Sequence, residues 1–471
     1  MSTKPVQNGE PPAPRARWPK LALLAVGALA LIATALVFYW DARGKDGLTR
    51  ELELWRESGD PYLELESRPA TALPEEFQRW FDAFDQPPCD TANEGLDAAE
   101  IAALPACAQP FADAGIDEFQ FTRCAFDELR DPSSASSLDA CERALIEAHC
   151  ARALDCAAGV RAARELAAIP GTTLLRGGRT LDEVPLSLEL RTMVRASGIA
   201  LCVTRYRLLH GDFDEALEFS RDGFEIARVA SGAPLLIGHQ EWLLAVDRAL
   251  DGFQELLHAL PAGTDLTWFE TELARLDVRA QLAASVRSER LAGRHTLEGL
   301  RRPERGDDLD FLSHDRSRFL VLQFLSHSQA LYLGAYRRAI AHVDSPTWRE
   351  PPTEPIYVRA SWPFGRYTEL AAAFIPLFDR EIDRTVRLEA RIELARAAIV
   401  NHRDGTAAAR AWLAGRTDPF SGKPLRSRVD PDGVLVMWSV GADRVDGGAP
   451  RRPPGCVDWP EHDLDWLASE R

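Results

Sequence analysis

The chain has none of the short motifs that mark common catalytic sites. The zinc-hydrolase pattern His-Glu-x-x-His and the nucleophile elbow Gly-x-Ser-x-Gly are both absent. Gly177-Gly178 lies in a glycine-rich break, but the spacing and the Lys-Ser/Thr pair of a phosphate-binding loop are missing. His239 and Glu241 are two residues apart, which puts them on different sides of a helix. The sequence therefore gives no positive evidence for an enzyme.

An excess of positive charge is also missing. Lysine and arginine number 55 against 72 aspartate and glutamate residues, which gives a formal net charge of −17. Nucleic acids and anionic lipid surfaces both bind basic patches, so this balance argues against either as a partner. The hydrophobic content of 46% is ordinary for globular proteins and is enough to bury a core.

Long apolar runs are scarce, and the one that exists lies near the N-terminus. Leu21–Trp40 holds twenty residues without a charge, and as a helix it would be about 30 Å long, which matches a bilayer core. It ends in Phe38-Tyr39-Trp40, an aromatic girdle suited to the headgroup level. We predict a disordered cytoplasmic tail over 1–18 and a transmembrane helix over 19–40, with the lipid bilayer as partner of Leu21–Trp40. A signal peptide cleaved at Ala33-Thr34-Ala35 is the alternative.

Cysteine pairs with metal-binding spacing are absent, because no Cys-x-x-Cys occurs. Six of the eight cysteines are nevertheless clustered, and these are the disulfide candidates: Cys89, Cys107, Cys124, Cys141, Cys150 and Cys156. An even number of cysteines behind a membrane anchor favours disulfides in an oxidising compartment, with zinc ligation and free buried thiols as alternatives. A predicted helical hairpin favours Cys124 with Cys141, and we expect Cys107 to pair with Cys150 or Cys156.

Helical periodicity dominates the middle of the chain. Breaks at Gly211-Asp212, Ser231–Pro234 and Pro261–Thr264 separate successive apolar-periodic segments, and Asp212 and Asp265 are placed to cap the helices that follow. The fold class is therefore mainly α: an N-terminal transmembrane helix, a multi-helix α-hairpin body and a small C-terminal antiparallel β unit. Beyond the anchor, the predicted parts are a stalk over 41–75, a cysteine-rich helical region over 76–170, a helical body over 180–401 and the β unit over 402–471.

The C-terminal unit carries a family resemblance. Asp418-Pro419, Gly422-Lys423-Pro424 and the run Ser439-Val440-Gly441-Ala442-Asp443, followed by Gly447-Gly448 and Asp458-Trp459, resemble the end of the type II secretion major pseudopilin. In that family a long helix leads into a small sheet whose loop binds calcium. The resemblance covers about 70 to 90 of the 471 residues. As a whole, the chain resembles uncharacterised bacterial single-pass membrane proteins with a helical middle and this ending.

The resemblance implies a calcium site at Asp443, Asp446 and Asp458. Three carboxylates with backbone carbonyls and water would meet the six to eight oxygens that calcium takes. Arg444 departs from the family pattern, and the alternative is that these acids cap turns around Gly441 and Gly447-Gly448.

These observations together predict a protein of the bacterial inner membrane with its soluble body in the periplasm. We expect it to act through envelope protein partners as an interaction or scaffold protein linked to a secretion or pilus-like system. An anchored periplasmic hydrolase with a site not visible in the sequence is the alternative.

Overall fold

The computed structural model describes residues 18–60, 75–84, 89, 103, 140–168, 186–231, 235–299, 325–352, 354–356, 378–431, 433–448 and 464–468. For some of these, including many from 18 to 40 and all of 464–468, only the backbone is described. The described part is mainly helical and ends in a small antiparallel sheet, as the sequence predicts. The part of the predicted helical hairpin that contains Cys124 lies outside these residues.

Twelve helices and three strands are described. The helices are α1 Trp18–Glu57, α2 Glu75–Phe84, α3 Ala140–Ala151, α4 Ala157–Ala167, α5 Leu186–Leu209, α6 Phe213–Ala230, α7 Leu236–Ala259, α8 Thr267–Arg275, α9 Val278–Gly299, α10 Leu325–Asp344, α11 Phe378–Asp404 and α12 Thr406–Ala414. A 3₁₀ turn, Arg152–Cys156, joins α3 to α4. The strands are β1 Arg426–Val429, β2 Leu435–Ser439 and β3 Leu464–Ala468.

Helix α1 continues past Trp40 into the segment 41–75 that the sequence predicts to be a stalk. It runs unbroken to Glu57 and packs against α10. A side chain at Gly44 would come within 2.8 Å of the His327 backbone nitrogen, so the two helices approach closely at a glycine. Farther along, Glu51 forms an ion pair of 2.9 Å with Arg337. The stalk prediction relied on local polarity and could not include contacts with a helix almost 300 residues away in sequence.

The end of α1 is fastened to α9 by a buried contact. The Asp60 carboxylate accepts hydrogen bonds from the Trp55 indole at 3.3 Å and from the Arg290 guanidinium. The Arg290 guanidinium also lies 4.2 Å above the Trp55 ring, and all three side chains are buried. A buried charge is tolerated when it is paired and hydrogen-bonded, as here. Residues 41–60 therefore belong to the body. We call the contacts of Gly44, Glu51, Trp55 and Asp60 with α9 and α10 the α1 clasp.

The first part of α1 differs from the clasp in the solvent exposure of its described side chains. Large apolar side chains there are exposed, with Leu29 at 65%, Leu31 at 73% and Phe38 at 67%. A search of the described residues finds no helix that is both long enough and apolar enough to span a bilayer.

Helices α5, α6 and α7 form the centre of the body as successive antiparallel hairpins. Gly211 adopts φ +71° between α5 and α6, and the Asp212 carboxylate accepts the Glu215 amide, which confirms the predicted cap. Asp265 accepts the amide of Thr267 at 2.9 Å, one position ahead of the cap residue Leu266. Aromatic rings fill the interior beside these helices, including Phe253 stacked on Phe269 with centroids 4.4 Å apart.

The C-terminal unit contains a helix that the sequence analysis missed. Residues 402–471 were assigned to a β unit, but α12 occupies Thr406–Ala414 between glycines at 405 and 415. The sheet that follows has the order β1-β2-β3 with both pairings antiparallel, and Arg426 faces Trp438 while Met437 faces Trp466 in the backbone register. Strand β2 is buried along its whole length because α11 packs against it.

Candidate functional site

An open groove of about 740 Å³ lies between α12 and the strands β1 and β2. Helix α12 contributes three alanines, which leave space, together with Arg410, and the sheet side contributes larger side chains and the charges of Arg426 and Asp446. The lining residues are Ala407, Arg410, Ala411, Ala414, Pro424, Leu425, Arg426, Ser427, Trp438 and Asp446.

Asp418 organises the backbone beneath this groove. Its carboxylate is fully buried and accepts hydrogen bonds from the Ser439 hydroxyl at 2.7 Å and the Val440 amide at 3.3 Å. It also accepts the Ser421 hydroxyl at 2.7 Å and the Phe420 amide at 3.1 Å. One carboxylate thus ties the turn before β1 to the end of β2, which lies 21 residues later. The Asp418-Pro419 turn signal located this residue, but its role in joining the two segments depends on the tertiary fold.

Arg426 connects this buried carboxylate to the groove surface. Its guanidinium lies 3.3 Å from Asp418 and 2.6 Å from Asp446. Asp446 also accepts hydrogen bonds of 3.1 Å from the Trp438 indole and the Gly448 amide. Partial burial acts to raise the pKa of Asp446, but these hydrogen bonds and Arg426 hold it below the usual range. The groove wall therefore carries fixed charges of both signs.

The predicted calcium ligands are used differently here. The Asp443 carboxylate accepts the amide of Val445 at 2.9 Å, which is an Asx turn, and Asp446 is held by Arg426, Trp438 and Gly448. Asp458 lies outside the described residues. Within the described part of the chain, no three His, Cys, Asp or Glu side chains are grouped to hold a metal ion. The contacts of Asp443 and Asp446 are those expected of turn-capping acids, and calcium binding stays a prediction.

One disulfide is present among the described cysteines. Cys89 is bonded to Cys156 with the Cα atoms 5.7 Å apart, and both were disulfide candidates. The predicted pairing of Cys107 with Cys156 or Cys150 is wrong, because Cys156 is bonded to Cys89 and Cys150 is a free, buried thiol. The 3₁₀ turn between α3 and α4 separates the two cysteines, so that Cys150 faces α5 while Cys156 faces the segment after α2. Cys107, Cys124 and the side chain of Cys141 lie outside the description.

His239, which the sequence analysis tested as a zinc ligand, is a neutral core residue. Thr385 donates its hydroxyl proton to the Glu381 carbonyl, so its oxygen accepts from His239 Nε2 at 2.9 Å. The ring stacks on Trp242 with centroids 5.6 Å apart. Burial lowers the pKa of His239 to about 3, so the imidazole carries no charge at neutral pH.

A second buried contact joins the same two helices, α7 and α11. The Arg391 guanidinium binds Asp251 at 2.6 Å and also pairs with Asp247. These charges lie in the helical interior, away from the groove, and hold α11 beneath the sheet. Each charged group forms an ion pair with a partner on the facing helix, and this indicates a structural role.

No family model matches this chain, and neither curated proteins nor solved structures resemble it at a significant level. The groove and the buried contacts are therefore interpreted from their own chemistry.

Proposed function

We propose that this protein is a single-pass protein of the bacterial inner membrane whose helical body acts in the periplasm as an interaction or scaffold protein, beside a secretion or pilus-like system. The observation that carries the proposal is the division of α1. Its first part bears exposed apolar side chains, whereas its last part is clasped by the body. Exposed apolar surface of this kind is costly in water and favourable in lipid.

The clasp supports a scaffold role. A body joined through a flexible linker would sample many orientations, but a body held along the anchor helix presents one surface to its neighbours. Gly44 and Asp60 lie at the two ends of the clasp, and both contact helices that come far later in the chain. Because Gly44 permits close backbone approach, the clasp depends on the absence of a side chain at that position.

The disulfide supports the periplasmic location. Disulfides persist in oxidising compartments and are rare in the reducing cytosol. The Cys89–Cys156 bond links the residue five positions after α2 to the 3₁₀ turn before α4, across 67 residues of sequence. The acidic net charge of −17 is consistent with a body that does not lie down on anionic lipid.

Location and partners can be tested separately. Protease added to spheroplasts should digest the body and leave a fragment of α1 in the membrane; full protection of the body in intact spheroplasts would contradict the periplasmic location. For partners, in-cell crosslinking followed by mild solubilisation should recover the same envelope proteins repeatedly.

A Gly44→Leu variant, whose side chain would meet the His327 backbone, should lose these crosslinks while staying in the membrane. Gly47→Ala is the matched control, since its added methyl would contact only the Ala330 methyl at 3.4 Å. Repeated recovery of the unmodified protein alone would refute the scaffold role.

A further inference from the structure

Two buried cysteines outside the disulfide lie on facing helices. Cys150 is near the end of α3 and Cys202 is in α5, and these two helices pack against each other. Cys150 is completely buried and Cys202 is 7% exposed, and their thiols are joined by a side-chain hydrogen bond. The two thiols therefore meet in the core where α3 and α5 pack together.

The groups around Cys202 favour a negative charge on its sulfur. The hydrogen bond from Cys150 lowers the pKa of the Cys202 thiol well below its usual range, although burial acts in the opposite direction; His149 and then Arg205 lower it further. The same contact, with burial, raises the pKa of Cys150. Cys150 is therefore the donor in this hydrogen bond, and the Cys202 sulfur is the acceptor.

The charges in this cluster are fixed in place. The Arg205 guanidinium is held by Glu255 through contacts of 2.8 to 3.2 Å, and both side chains are buried. Arg248, half-buried on α7, donates to the Ser197 hydroxyl at 3.1 Å and interacts electrostatically with Cys202. The Cys202 sulfur thus lies near two guanidinium groups that are positioned by partners of their own.

We propose that Cys150 and Cys202 form a redox site, a dithiol that closes a second disulfide between α3 and α5 by exchange with a disulfide oxidant. Cys202, which retains some exposure, attacks one sulfur of the oxidant as a thiolate and forms a mixed disulfide, and the other sulfur leaves as a thiolate. Cys150 then loses its proton and attacks the Cys202 sulfur, and the second oxidant thiolate leaves. The two cysteine sulfurs lose two electrons to the oxidant disulfide, and its two leaving thiolates become thiols by taking the proton of Cys150 and one proton from solvent.

Other chemistry fits this cluster less well. Metal ligation would require a third ligand, and no such group is found in the described part of the chain. The neighbouring bond at Cys156 indicates that this segment accommodates a disulfide.

Peptide mapping of the full-length protein tests the proposal directly. Trypsin cleavage places Cys150, Cys156 and Cys202 on separate peptides, residues 144–152, 153–161 and 196–205. After incubation in detergent with oxidised glutathione, acid quenching and alkylation, we expect peptide 144–152 to be linked to peptide 196–205 and released by reductant. Linkage of peptide 153–161 to the peptide that contains Cys89 is the internal control. Recovery of both cysteines as alkylated thiols, or linkage of Cys150 to another cysteine, would overturn the proposal.

Variants test the order of the two steps. Cys150→Ser should trap glutathione on Cys202, whereas Cys202→Ser should leave Cys150 without an adduct on the same time scale. Equal labelling of Cys150 in Cys202→Ser would overturn the assignment of the attacking sulfur. His149→Gln should shift the pH dependence of the exchange, and of the ultraviolet thiolate absorbance, to higher pH while the same disulfide still forms. An unchanged pH profile would contradict the positioning role of His149.

Discussion

Removal of the Asp418 carboxylate should unfold the sheet unit locally. In Asp418→Ala the Ser439 hydroxyl and the Val440 amide lose their acceptor, and both residues are fully buried, so water cannot replace it. The Phe420 amide is in a similar position at 5% exposed. Each buried donor left unsatisfied costs about 1–3 kcal/mol, so three of them cost about 3–5 kcal/mol once the hydroxyl has rotated to a new partner.

The assay is hydrogen exchange of the β2 amides in the full chain, because a protein of this size need not unfold in one step. A loss of about 3 kcal/mol corresponds to exchange roughly 100-fold faster across Leu435–Ser439. Asp446→Ala is the control: its carboxylate is 44% exposed and contacts the same Arg426, so it should change exchange by less than about fivefold. Equal effects of the two variants would refute the role given to Asp418.

Three further outcomes follow from the site chemistry. In the unfolded chain His239 binds a proton near pH 6.5, whereas in the folded protein its pKa is about 3, so the free energy of unfolding falls as the pH falls below 6.5. At pH 5 the loss is about 2 kcal/mol. Urea unfolding of His239→Gln should not show this loss. Arg391→Met removes the guanidinium that pairs with the partly buried Asp247 and the buried Asp251 and should cost about 3–5 kcal/mol. The exposed Arg403→Met should cost less than about 1 kcal/mol in the same titration. If Asp443, Asp446 and Asp458 bind calcium, a chelator should lower Tm and excess calcium should restore it, because a bound ion stabilises the folded state; an unchanged Tm would refute the calcium site.

Local signals predicted the helix boundaries well. Gly211 takes a backbone conformation that favours glycine, and Asp212 accepts an amide three residues on, so both features can be identified from neighbouring residues. The sheet was likewise marked by turn residues and a β-rich run. Helix α12 was not predicted, although glycines bracket its alanine-rich segment, because the resemblance implied a β unit over the whole of 402–471.

Contacts between distant segments could not be predicted in this way. Arg337 lies 286 residues from Glu51, and Cys156 lies 67 residues from Cys89, so neither pairing leaves a local pattern. Cys202 fell outside the cysteine cluster and was therefore not among the disulfide candidates, yet the packing of α3 on α5 brings it to Cys150. The role of Asp418 in joining two segments could not be predicted either, because those segments are also distant in the sequence.

The α1 clasp has a consequence for how partners meet this protein. The segment from Asp41 to Glu57 rises about 25 Å along the helix axis. With α1 anchored as proposed, the body is held at a set height and cannot swivel about the membrane normal independently of its anchor. A partner in the same bilayer then meets one fixed profile and loses less rotational freedom on binding than it would with a tethered body. The partner then reaches this surface by lateral diffusion in the plane of the membrane.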